Sequence, residues 1–116
     1  MECKIVEPNK HIIYMFEYFQ IEVYLLDLSN TNTTIPVIKV RSNDEIAGTF
    51  SGVLYPDIIY MEGSGEFAIN TRMSPLYLLE EDFEMNKLAF ERSMAFVREA
   101  NAFFAAHDWF GNEKTK

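Results

Sequence analysis

Residues 79–110 read LEEDFEMNKLAFERSMAFVREANAFFAAHDWF, and the spacing within this stretch decides the fold. Leu79, Phe83, Phe90, Met94, Val97 and Phe104 recur at intervals of three, four and seven, which places them in one stripe along an α-helix. Met85, Ala89, Phe96, Ala100 and Phe103 widen the stripe, while Glu80, Glu84, Glu91, Arg98 and Glu99 fall on the opposite, polar face. Ser74-Pro75 suits a helix entrance, with serine as cap and proline in the first turn. Glu80, Glu81, Asp82 and Glu84 add negative charge where the helix dipole favours it, and Gly111 offers a stop. The pattern predicts one long helix from Leu79 to Phe110.

Upstream of it the period changes from 3.6 to two. Phe19, Ile21, Val23 and Leu25 alternate with Tyr18, Gln20, Glu22 and Tyr24, so Glu17 to Leu25 reads as a half-buried strand. Lys4 to Val6 reads as a first short strand closed by Glu7-Pro8-Asn9, and residues 9–17 fit either a short helix or more strand. Ile35 to Val40 is a strand that tolerates Pro36 at its start or at an edge, Ser42 to Glu45 a turn, and Thr49 to Tyr55 a further strand. Ile58 to Glu62 and Glu66 to Asn70 flank Gly63-Ser64-Gly65, a hairpin turn in which glycine supplies positive φ. Strands followed by a helix predict an α+β fold. An antiparallel, meander-like sheet of about five strands carries the C-terminal helix on one face, in a single domain spanning 1–116.

The bulk properties narrow the function classes. The 48% hydrophobic content is enough to offset the entropy of ordering the chain, so the domain folds. A formal net charge of −8 disfavours direct binding to nucleic acid or to an anionic membrane and favours a basic partner. Cys3 is the only cysteine, which excludes an internal disulfide and a multi-cysteine zinc site. The apolar run Ile12 to Leu28 is interrupted by Glu17, Gln20, Glu22 and Asp27, so a membrane span is not expected, and the start lacks a secretory pattern. A cytoplasmic protein is the simplest reading.

No motif for catalysis, cofactor or metal emerges. His11 and His107 are far apart in sequence and have no second ligand at a diagnostic spacing. Gly63-Ser64-Gly65 is not a nucleophile elbow, because its glycines directly flank the serine, and Asn32-Thr33-Thr34 is read as plain loop. Glu62 and Glu66 beside the turn are read as solvated rather than as a catalytic pair. The expectation is therefore a non-enzymatic, acidic protein-binding module without cofactor. It would inhibit a basic, nucleic-acid-processing protein, in the manner of immunity, DNA-mimic or phage counter-defence proteins. Its expected partner-binding residues are Glu80, Glu81, Glu84, Glu91 and Glu99 on the helix, with Trp109 and Phe110 at its end. The alternative is a homo-oligomeric structural or assembly protein, such as a homodimer, or a chaperone-like adaptor, with the wide helix face or the tail aromatics as a symmetric interface.

Overall fold

Alternation and turn chemistry lay out the strands. The computed structural model describes residues 1–49, 53–70 and 83–114, with the side chains of 83–86 left aside. Strands β1 (Glu2–Glu7), β2 (His11–Met15), β3 (Phe19–Leu28) and β4 (Thr33–Ser42) form an antiparallel meander in the order β1-β2-β3-β4. The short helix α1 (Asn43–Ala47) follows, then β5 (Asp57–Met61) and β6 (Glu66–Asn70) as a separate two-stranded sheet, then α2 (Phe83–Ala106). The α+β fold with a C-terminal helix packed on strands is thus present, its strands divided between two sheets rather than joined in one.

Residues 9–17 form no helix: Asn9 takes a left-handed turn at φ 58°, and β2 pairs with β3 from His11↔Tyr24 to Met15↔Gln20. Glu17 and Tyr18 belong to the bend between β2 and β3, so β3 starts at Phe19. The segment expected as a strand over Thr49 to Tyr55 is not one at Thr49 or at 53–55, and 50–52 lie outside the described residues. Two of its side chains serve the core: Val53 is buried, and Tyr55 meets Phe19 edge-on at 4.9 Å. Ser42 to Glu45 leads into α1 instead of a simple turn. The β5–β6 hairpin forms as expected, with Gly65 at φ 71°.

The face of α2 that meets the sheets is shifted from the expected stripe. Phe90 and Met94 are 46% and 36% exposed, whereas Ala89, Ser93, Phe96, Val97, Ala100 and Phe104 are buried. Ala89, Ser93 and Ala100 are small and fully buried, the helix backbone sits close to β6, and Phe96 and Phe104 interlock with the strands. Phe96 stacks on Phe19 at 4.7 Å and meets Phe16 edge-on at 4.9 Å. Phe104 meets Tyr14 at 5.1 Å and Trp109 at 4.8 Å. Leu79 and the Ser74-Pro75 entrance lie outside the described residues.

α2 ends at Ala106, four residues before the expected Phe110. The Asp108 carboxylate accepts hydrogen bonds from the Phe110 and Asn112 amides at 2.9 and 3.0 Å, a local turn that competes with helix. Lys114 closes the helix end, its amide donating to the Ala106 carbonyl and its Nζ to that of Phe104.

Hydrogen-bond direction shows which edges stay open. The Leu25 amide donates to the Lys10 carbonyl, so Leu25 points its backbone at β2 and turns away from Pro36, its partner on β4. Pro36 therefore sets its nitrogen, which has no hydrogen, on the outer edge of the sheet. On the second sheet, Phe67 directs its backbone away from β5 and onto α2. The Asn101 carboxamide accepts from the Phe67 amide at 2.7 Å and donates to its carbonyl at 3.1 Å. Asn101→Ala leaves both groups without a partner in a half-buried site and should cost about 1–3 kcal/mol in chemical denaturation. Asn101→Asp should not restore it, because a carboxylate accepts but cannot donate.

Candidate functional site

Between Arg41 and Arg72 the chain has no lysine or arginine but carries Asp44, Glu45, Asp57, Glu62 and Glu66. The fold gathers three of these around one groove. Ser42 caps α1 by accepting from the Glu45 amide at 3.1 Å, which puts Asp44 and Glu45 in the first helical turn, and Gly48 ends the helix at φ 68°. Asn43 fixes α1 in place: its backbone amide donates to the Tyr18 carbonyl at 2.9 Å, and its Nδ2 donates to those of Phe16 and Glu17 at 3.3 and 2.8 Å. On the far wall, Asp57 opens β5.

The groove between these walls has a volume of about 410 Å³ and includes Phe19, Val40, Val53, Tyr55, Pro56 and Ile58 in its lining, with Asp44, Glu45 and Asp57 beside them. Phe19, Val53 and Pro56 are buried, whereas Glu45 and Asp57 are exposed. Arg92 braces the groove from behind: its Nη1 donates to the Tyr55 hydroxyl at 2.8 Å, and its guanidinium lies 4.1 Å from the Tyr18 ring centre. The Tyr55 hydrogen bond, acting against burial, raises the Arg92 pKa above its ordinary value, and Asp44 adds to the effect. An apolar floor beside carboxylates can cover the methylenes of a lysine or arginine side chain while accepting its hydrogen bonds.

A second depression of about 560 Å³ lies at the outer face of the four-stranded sheet, lined in part by Glu7, Lys10, His11, Glu22, Tyr24 and Lys39. Part of its polar lining is paired within the depression. His11 Nε2 lies 2.7 Å from Glu22, Lys10 Nζ 3.5 Å from Glu7, and Lys39 Nζ 5.5 Å from the Tyr24 ring centre. His107 stacks on Phe103 at 4.2 Å, and its Nδ1 lies 2.9 Å from the Phe103 carbonyl oxygen. Among the described residues no three His, Cys, Asp or Glu side chains converge as a metal site would need, and no helix is long and apolar enough to cross a membrane.

Of the expected partner-binding residues, those whose side chains are described are spread along α2 and the turn that follows it. Glu80 and Glu81 lie outside the described residues, as does the Glu84 side chain. Glu91 is exposed on α2, and Glu99, also exposed, lies 3.9 Å from the Met1 α-amino group. Over Phe83–Ala106, Glu84, Glu91 and Glu99 are matched by Lys87, Arg92 and Arg98, so α2 itself has no net charge. Glu91 is 15 residues before the end of α2, roughly 20 Å along its axis from the tail. Trp109 and Phe110 are half-buried and pack against the core. Trp109 meets Tyr60 edge-on at 4.8 Å and Phe67 at 6.2 Å, and its carbonyl accepts from the Tyr14 hydroxyl at 2.8 Å. The groove residues were not expected, although the stretch without a basic residue is legible in the sequence.

The Tyr14–Trp109 bond has a pH signature. Burial first, and then the negative charges of Cys3 and Asp108, raise the Tyr14 pKa above its ordinary value. Stability tied to the neutral phenol is then complete below about pH 10, where an unfolded tyrosine titrates, and is lost as pH rises through the folded value. Tyr14→Phe strands the Trp109 carbonyl and should cost about 1–3 kcal/mol at neutral pH. The same variant should lose less stability than the parent above about pH 10, and thermal melts across that range check both. Comparison with protein families, with curated proteins and with solved structures returned no match.

Proposed function

We propose that this chain is a non-enzymatic protein-binding module that captures a basic segment of a partner and thereby inhibits it. The observation that supports this most directly is the groove between α1 and β5, where Asp44, Glu45 and Asp57 stand beside a floor formed by Phe19, Val53 and Pro56. The net charge of −8 supports it further, since opposite charge speeds encounter with a basic protein and selects for one. A nucleic-acid-processing protein is a natural member of that partner class, because its own substrate is a polyanion. A cytoplasmic setting belongs to the same reading. The second reading, a homo-oligomeric assembly or adaptor protein, draws on the open edge of β1, where Ile5 and Val6 are 61% and 49% exposed.

Titration with an extended peptide rich in lysine and arginine tests the groove. The variant Asp44→Asn/Glu45→Gln/Asp57→Asn keeps side-chain shapes and should weaken binding about tenfold, with a shallower dependence on salt. Reversing Glu80, Glu81 and Glu84 should change affinity less. If the peptide binds both variants and the parent alike, the groove is not the site. If only the reversal of Glu80, Glu81 and Glu84 weakens binding, that acidic run takes its place.

A further inference from the structure

The open edge of β1 has the residue order of a strand that pairs with its own copy. β1 is exposed along its whole length and lies at the end of the meander. The pairings from Leu25 inward fix which of its residues look outward. Ile21 directs its backbone at β2, as Leu25 does, so Tyr14 faces β3 and Ile13 faces β1. Lys4, opposite Ile13, therefore bonds inward, and Cys3 and Ile5 turn their backbone groups to the open edge. Cys3 and Ile5 sit opposite Tyr14 and Ile12 on the side covered by α2, while Glu2 and Lys4 occupy the outer face. The register shifts between Ile5 and Glu7, so regular pairing ends at Ile5.

We propose that two copies of this chain associate through antiparallel pairing of their β1 edges, with Cys3 opposite Cys3 of the second copy. Charge and pattern select this register. It sets Glu2 against Lys4 of the second copy and Lys4 against its Glu2, so both outer-face pairs are oppositely charged. It also sets exposed Met1 against exposed Ile5 on the other face and places outward-bonding residues opposite each other. Moving the axis to Glu2 or to Lys4 opposes like charges, and moving it to Ile5 runs into the register shift. Beside this edge α2 presents Ala102 and Ala106 on the same helical face as Glu99, which neighbours Met1, so small side chains flank the approach. The contact is limited to a short strand and this flank, which places it among small, weak interfaces. The contact rests on β1 and is independent of the groove, so either stands if the other fails.

Sedimentation velocity across a concentration series, with charge reversal, decides it. The parent should show a monomer–dimer equilibrium, and Glu2→Lys alone or Lys4→Glu alone should each weaken it about tenfold. The double variant Glu2→Lys/Lys4→Glu should restore it, which a merely structural effect of the substitutions would not do. Diamide should take two electrons and two protons from a pair of Cys3 thiols to give a disulfide-linked dimer. Partial desolvation raises the Cys3 pKa, so mildly alkaline buffer speeds that reaction. A monomer at every concentration overturns the proposal, and so does a dimer in which the double variant remains weak or Cys3 does not cross-link.

Discussion

The carboxamide of Asn101 is the tie on which the arrangement depends. A two-stranded hairpin has too little surface to be stable alone, and β6 would otherwise end the second sheet in unpaired backbone. By bonding both groups of Phe67, Asn101 gives β6 the equivalent of one more strand and fixes its height on α2. That places the Phe67 ring between Phe96 and Phe104, the two large side chains with which α2 grips the four-stranded sheet. One polar side chain thus sets the position from which the aromatic core is shared between two sheets. The hairpin in turn carries Asp57 to the groove.

What was legible in the sequence was local. The β5–β6 hairpin and the alternation along β3 could be read because turn glycines and period-two patterning act over a few residues. The orientation of α2 was not, since a hydropathy count rewards Phe90 and penalises Ser93, whereas packing favours whatever lets the backbone approach the sheet. Asn43 and Asn101 were equally silent, because their partners lie 25 to 34 residues away. The end of α2 depended on Asp108 accepting amides beyond itself, which a helical pattern running on to Phe110 conceals.

The candidate site shows the same division. The acidic run from Glu80 to Glu84 draws the eye in the sequence, yet Lys87, Arg92 and Arg98 leave the described helix neutral. The carboxylates gathered around an apolar surface come from α1 and β5, elements separated in sequence and brought together by how Asn43 and Tyr55 are anchored. Charge density along a chain and charge density in space are different quantities, and only the second bears on what a surface can hold.

Pro36 has a consequence for how large an assembly of this protein can grow. A sheet with two open edges can add copies without limit, the geometry of a filament. Here the β4 edge carries a nitrogen that cannot donate, and in the proposed dimer the β1 edge is taken up by the second copy. In that arrangement strand-to-strand growth closes after one addition, and the proline acts as a stoichiometric stop as well as a break in a ladder.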